Sequence, residues 1–314
     1  MSTFNHPEYN GPLPLLYNRR LLITGGSHGT GFAIGENAVL LGADVILGSR
    51  TGNSFDKADN RMQMDNVCPF IADFKNPKEV KKAIRWLVKN DLIPTDIILS
   101  AAAGLDVILN PVGRKVVRLA KMQGEGRASG LVEIQEEIRK RIEANYPTTL
   151  QINSESNKTL IEELGPYLGA NTRIIFLSSL PSDLYGEVKT PNIYEGVARS
   201  KHDFIRYLSW KGPELARRQI YSAVVSGNLL LDTVTAQTLI KLGKMLPDVV
   251  AISPNLNLPT TKDMAVEVER ILLDDPRFYR FRRVPYRRYV IGPGPAEDYL
   301  SPKDPRLNQI IINL

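Results

Sequence analysis

The sequence predicts an α/β protein, a doubly wound parallel sheet forming a single domain over residues 1–314, and three observations carry that reading. Short apolar runs rich in β-formers recur between stretches of helical spacing. The runs do not alternate polar with apolar, as expected of strands buried on both faces. The first run leads directly into a glycine-rich turn that opens a helical pattern, and neither an internal repeat nor a low-complexity linker divides the chain.

Taken in order, strands are expected at residues 20–23, 44–47, 68–71, 97–100, 173–177, 221–225 and 289–291. Helices are expected at 31–41, 77–89, 156–168 and 195–216. Between the strand at 97 and the helix near 156 lies an insertion, residues 105–145, longer than a usual strand-to-helix connection and carrying its own amphipathic helix at 131–146. Long loops at the carboxyl ends of such strands border the ligand crevice. The insertion therefore reads either as a lid or docking element over the substrate or as a contact between subunits. Its basic groups Arg139, Lys140 and Arg141 could steer an acidic partner by charge.

Composition narrows the function classes. At 314 residues and 43% hydrophobic the chain can bury a substantial core. Cys68 is the single cysteine, which excludes an internal disulfide and a cysteine-based metal site, and His6, His28 and His202 are scattered, so no metal is expected. Without a basic start followed by a long apolar run, and without a membrane-length apolar segment, a cytoplasmic protein with no membrane partner is expected. The net charge of +6 suits an anionic cofactor, an acidic carrier or a nucleic acid and does not choose among them. An atypical basic segment, residues 277–314, opens with arginines interleaved with aromatics from 277 to 289. A structural or subunit-contact role ranks first for it, an acidic carrier second and nucleic acid last, so no nucleic-acid partner is expected. A homo-oligomer, dimer or tetramer, is.

The turn Thr24-Gly25-Gly26-Ser27-His28-Gly29-Thr30-Gly31 falls where a strand passes into a helix. Residues lacking Cβ let the chain turn tightly and lie against a pyrophosphate, while the helix N-terminus presents free N–H groups and a favourable dipole. Gly25, Ser27, His28, Gly29, Thr30 and Gly31 are accordingly candidate dinucleotide-binding residues. After the second strand come Ser49 and Arg50, where a carboxylate would favour an unphosphorylated ribose. Arg50 can instead pair with a 2′-phosphate, which points to NADPH.

Thr-Gly-x3-Gly-x-Gly resembles the short-chain dehydrogenase/reductase family, whose Rossmann fold agrees with the pattern above. The likeness runs on through Ala72-Asp73, Ser100-Ala101-Ala102-Ala103-Gly104, Asn153, Ser178-Ser179 and Lys201, across residues 21–233. It implies that Asp73, Ala101, Ala102, Lys201 and Thr233 border the cofactor. Most members place a tyrosine four residues before the lysine; here that position is Val197, which cannot supply a proton. Tyr194 stands seven residues before Lys201, two helical turns away, so both can share one face. That Tyr-x6-Lys pair, within the run from Pro191 to Lys201, resembles the divergent enoyl-acyl-carrier-protein reductases of the superfamily.

The resemblance implies an NADPH-dependent oxidoreductase that reduces the conjugated carbon–carbon double bond of an enoyl thioester, in fatty-acid-like or polyketide-like biosynthesis, with an acyl carrier protein as the substrate's bearer. Tyr194 would meet the enolate charge on the thioester oxygen, and Lys201 would hold the nicotinamide ribose. Tyr185, Ser179 and Asn153 complete the candidate catalytic set. Two alternatives stay open: a carbonyl reductase using Tyr194 or Tyr185 as a rearranged acid, and a non-catalytic dinucleotide-binding regulator, which Val197 keeps in play.

Overall fold

The computed structural model describes residues 15–63, 65–119, 121–122, 124–183, 185–186, 192–227, 260–273, 287–290 and 310–312. Between 228 and 259 it describes 230, 232–233, 237, 240–241, 244 and 250–252. Seven strands form one parallel sheet: β1 Arg20–Thr24, β2 Asp44–Ser49, β3 Val67–Ile71, β4 Asp96–Leu99, β5 Arg173–Ser179, β6 Tyr221–Gly227 and β8 Arg287–Val290. Their order is β3-β2-β1-β4-β5-β6-β8, and each neighbouring pair is parallel. A separate two-stranded antiparallel pair joins β7 Val250–Ile252 to β9 Ile310–Ile312.

Strand period 2 divides the core between the two faces of the sheet. Leu22, Ile46, Ile97, Ile174 and Val224 point to one side, packed under α3 Pro77–Lys89, α6 Ser156–Leu164 and α8 Glu195–Arg217. Their neighbours Leu21, Ile23, Val45, Leu47, Ile98, Ile175 and Val225 point to the other. There they meet α1 Gly29–Leu40, α2 Gly52–Met62 and α9 Thr261–Leu273. Because both faces are covered, β2, β4 and β5 are buried at every residue, which is why their sequences do not alternate. The chain leaves β1 for β2 on one side and returns to β4 on the other, so the carboxyl ends of β1 and β4 form the switch point where such sheets open a crevice.

α2 was not expected from the sequence. It is polar except for a thin stripe of Phe55, Ala58 and Met62, and its start is fixed by Thr51, whose side chain accepts from the Ser54 N–H. Helix α9 was likewise not expected.

Residues 105–145 form helix α4 Asp106–Leu119 and most of α5 Gly124–Leu150. The helix expected at 131–146 is the middle of α5, which runs through a π-turn, Gln151–Glu155, into α6 without a break. Val112, Leu119, Ile134 and Ile138 are buried and supply the apolar seam between α4 and α5. On the outer face Arg139 pairs with Glu136 and Glu143, Lys140 with Glu136, and Arg141 with Glu137. The cations expected to steer a partner are thus matched along their own helix.

The strand expected at 289–291 is β8, one to two residues earlier, and it extends the sheet beside β6. Apart from Arg287–Val290 and Ile310–Ile312, the basic segment 277–314 lies outside the described residues, and so does most of its arginine–aromatic run. Among the described residues no helix is long and apolar enough to cross a membrane, and no group of His, Cys, Asp or Glu side chains could hold a metal.

Candidate active site

The site is built on the carboxyl ends of β1, β4, β5 and β6. The Thr24 hydroxyl accepts from the N–H groups of Ser100 and Ala101 at 3.0 and 3.1 Å, tying the end of β1 to the turn after β4. Gly25 packs against Ala101 so closely that a Cβ would sit 2.8 Å from its Cα. A Cβ on Gly31 would lie 2.5 Å from the Gly25 carbonyl oxygen, so only glycine lets α1 begin this close to β1. Gly29 has φ +57°, and the space its Cβ would occupy is open to at least 4 Å. At the N-cap His28 makes no side-chain capping bond, and the first turn of α1 has no acidic residue. Ser27 and Thr30 are partly exposed beside it. Open space at Gly29 beside a helix N-terminus with no side-chain cap is the setting a pyrophosphate requires, so the residues present fit a dinucleotide.

Next along the crevice, Ser49 is buried and donates to the Thr51 carbonyl, while Arg50 projects into solvent from the end of β2. Asp73 shapes the following turn, its carboxylate accepting from the Lys75 N–H at 3.0 Å. Ala72 is held to β2 by a bond from its N–H to the Ser49 carbonyl. Ala101 and Ala102 lie in the turn after β4. Thr233, expected at the cofactor, bonds locally to the Leu230 carbonyl at 2.7 Å.

Asn153 sits in the π-turn, fully buried. Its amide receives the Ala103 N–H at 2.9 Å and donates to the Ala103 carbonyl and to the Ser200 hydroxyl. It therefore clamps the β4 turn to α8, a positioning arrangement rather than direct exposure to a substrate. Tyr185 points its hydroxyl to Glu195 at 3.5 Å, and its ring lies 5.8 Å from that of His202.

Tyr194 ends a single 3-10 turn, Asn192–Tyr194, immediately before α8. Burial, opposed by the neighbouring Ser179 and Ser182 hydroxyls, pushes its pKa above the ordinary phenol value. Ser179 and Ser182 also share a hydrogen bond of 2.5 Å. Lys201, buried two turns along α8, donates to the Leu177 carbonyl at 3.1 Å and lies over the Phe176 ring. Burial pulls its pKa down to about 8, and nearby Asp183 acts in the opposite sense. Val197 is buried, and its methyl groups approach Gly104.

No known family profile matches the chain. Solved structures do. A dehydrogenase/reductase from Sinorhizobium meliloti 1021 superposes with TM-score 0.60 at 17% identity, covering 88% of this chain and 94% of its own. A metagenomic short-chain oxidoreductase in complex with NADP gives 0.55 at 15%, covering 84% and 94%. An enoyl-acyl-carrier-protein reductase (NADH) from Aquifex aeolicus VF5 gives 0.58 at 18%, covering 83% and 91%. The chain has the short-chain dehydrogenase/reductase fold. A tropinone reductase-like 3 protein from Erythroxylum coca is 25% identical over 178 residues, which are 54% of this chain and 58% of that relative. The chain thus matches little more than half the length of that curated relative.

Within this fold, two polar residues stand in the site that the sequence reading did not single out. Ser182 and Asp183 lie on α7 Leu180–Asp183, one helical turn directly after β5. The available signal was the run Ser178-Ser179-x-x-Ser182-Asp183, in which Ser179 and Ser182 are three residues apart and Ser178 and Asp183 five, so one helical turn after β5 brings the second pair back to the first.

Proposed function

We propose that this chain is an NADPH-dependent reductase acting on a carbon–carbon double bond conjugated with a thioester or similar carbonyl. The observation that carries the reading is the displaced phenol: Tyr194 meets Ser179 and Ser182, while the usual acid's position is filled by the buried alkyl group of Val197. When bound, the nicotinamide supplies hydride. In an enoyl thioester the oxygen that gathers charge is separated from the hydride-accepting carbon, so a donor set back along the helix suits it better than one beside the lysine. Tyr194, kept protonated by its raised pKa, donates a hydrogen bond to that oxygen, with the Ser179 and Ser182 hydroxyls beside it. Lys201 binds the cofactor ribose and adds positive charge. Arg50, exposed where β2 ends with no acidic neighbour in Ser49 or Thr51, favours the 2′-phosphate of NADPH over NADH.

A second reading is reduction of a ketone. The nearness of Ser179 to Tyr194 favours it, since a serine and a phenol together can grip a single carbonyl oxygen, and the relative from Erythroxylum coca bears the name of a tropinone reductase-like protein. Consumption of NADPH with crotonyl thioester, on pantetheine and on an acyl carrier protein, is the deciding experiment, run beside a panel of ketones. Turnover of the thioester supports the leading reading and turnover of ketones alone replaces it. With neither, the chain is a dinucleotide-binding protein without this chemistry.

A further inference from the structure

The buried polar cluster behind Tyr194 contains a carboxylate that the proposed chemistry does not itself use. Asp183 is 3% exposed. Its Oδ1 accepts from the Ser178 hydroxyl at 2.8 Å and its Oδ2 from the Ser226 hydroxyl, so α7 is pinned to the ends of both β5 and β6. An ionised carboxylate is costly to bury and is retained where hydrogen bonds and an opposite charge compensate it. Resting on the reductase reading above, we propose that Asp183 is a positioning residue, a counter-charge anchored by Ser178 and Ser226 that keeps Lys201 an ammonium and Tyr194 a phenol, and so sets the site to donate a proton rather than take one.

The geometry supplies the reason. Lys201 is buried and has the Leu177 carbonyl as its hydrogen-bond acceptor, a neutral group from β5, with the Phe176 ring beside it. From the π-turn, Asn153 contributes a neutral amide that is engaged with Ala103 and Ser200. Leu177, which accepts from Lys201, is followed directly in β5 by Ser178, which donates to Asp183, so the carboxylate on α7 stands beside the lysine's own acceptor and its charge acts on the lysine. His202 turns its Nδ1 towards the Ser182 carbonyl at 2.9 Å, and Tyr194 contacts Ser179 and Ser182. A negative charge here stabilises the ammonium and opposes a second negative charge on the phenol. An enzyme oxidising an alcohol needs the phenolate as its base, whereas a reductase needs the phenol's proton in place.

The test follows Lys201 directly and needs no substrate. In full-length protein carrying 13C at lysine Cε, the Lys201 signal is identified by its loss in Lys201→Met and titrated by NMR in the parent and in Asp183→Asn. The parent is expected to titrate near pH 8, and Asp183→Asn is expected to do so at least ~1 pH unit lower. Thermal melting at pH 6 checks that the variant is folded. If it is not, Ser226→Ala serves instead: it keeps the charge but frees one carboxylate oxygen, and is expected to lower the midpoint by about half a unit. An unmoved Lys201 midpoint in the folded variant overturns the proposal. With active substrate, the alkaline limb of reduction should move down together with the NMR midpoint; a uniform loss of rate at all pH values, without that movement, also overturns it. Failure of every thioester and ketone would remove the reductase reading while leaving the titration to decide the role of Asp183.

Discussion

Ser179 and Ser182 stand with their hydroxyls 2.5 Å apart where β5 passes into α7, beside the Tyr194 phenol whose pKa they help to restrain. If that phenol is the donor to the developing oxyanion, Tyr194→Phe should slow NADPH-dependent reduction about a hundredfold or more, equivalent to ~3 kcal/mol, with cofactor affinity nearly unchanged. Stopped-flow turnover and fluorescence titration of NADPH separate the two effects. Near-parental turnover would transfer the role to Tyr185 or to the substrate.

Cofactor choice rests on Arg50. In the proposed reading its contact with a 2′-phosphate would be a charge-assisted hydrogen bond worth about 1.5–3 kcal/mol, so Arg50→Ala should weaken NADPH binding roughly 10- to 100-fold and leave NADH nearly unaffected. Equal losses for both, or tighter NADH binding by the parent, would reverse the assignment.

Two glycines of the first turn should fail in different ways. Gly29→Ala meets open space and only the cost of positive φ, about 1 kcal/mol, so it should fold but place a methyl group where the proposed cofactor would lie. Gly31→Ala drives a Cβ to 2.5 Å from the Gly25 carbonyl and should lower thermal stability as well as cofactor binding. Melting temperature with and without NADPH distinguishes them. If Gly29→Ala kept full NADPH affinity, the cradle assignment would be wrong.

At the opposite end of the strands, Asp96 is fully buried between Arg19 and Arg173. Burial outweighs the attraction of Arg19, and its pKa is raised to about 6. The folded state therefore holds this proton more tightly than the unfolded chain. The resulting stabilisation is fully present below the unfolded value of 3.8 and is lost as pH rises through about 6. The linkage amounts to at most about 3 kcal/mol. Urea unfolding of the parent and Asp96→Asn at pH 4, 5, 6 and 7 isolates this slope as the difference between them. A difference that does not change across that range would contradict it.

Cys68 is buried on β3, and burial pushes its thiol up to about 12. Since the thiolate is the reactive form, a thiol reagent at pH 7.5 should label the native protein at the rate of its unfolding and the urea-unfolded protein at once. Fast labelling of the folded protein would mean that β3 opens locally.

The legible parts of this protein were those set by short-range pattern. Apolar runs such as 44–47 and 173–177 could be read as strands because burial on both faces removes alternation, and the turn from Thr24 to Gly31 because a close backbone approach tolerates only glycine. The spacing of Tyr194 and Lys201 is likewise a matter of sequence, and the pairing proposed for them came from a family likeness. Helix α2 escaped because three apolar residues among eleven make a weak stripe, and its start depends on the Thr51 cap.

The sequence by itself determined the parallel α/β architecture, the glycine-built turn and the absence of a tyrosine at Val197, since each is written in residue type and spacing. Only the tertiary structure decided that Asp183 and Ser182 belong with Tyr194 and Lys201. Ser178, Asp183 and Ser226 come together through a single helical turn after β5 and the pairing of β5 with β6, two strands whose facing ends, Ser179 and Gly227, are far apart in the chain. Such contacts depend on how strands are ordered in the sheet, which no local pattern carries.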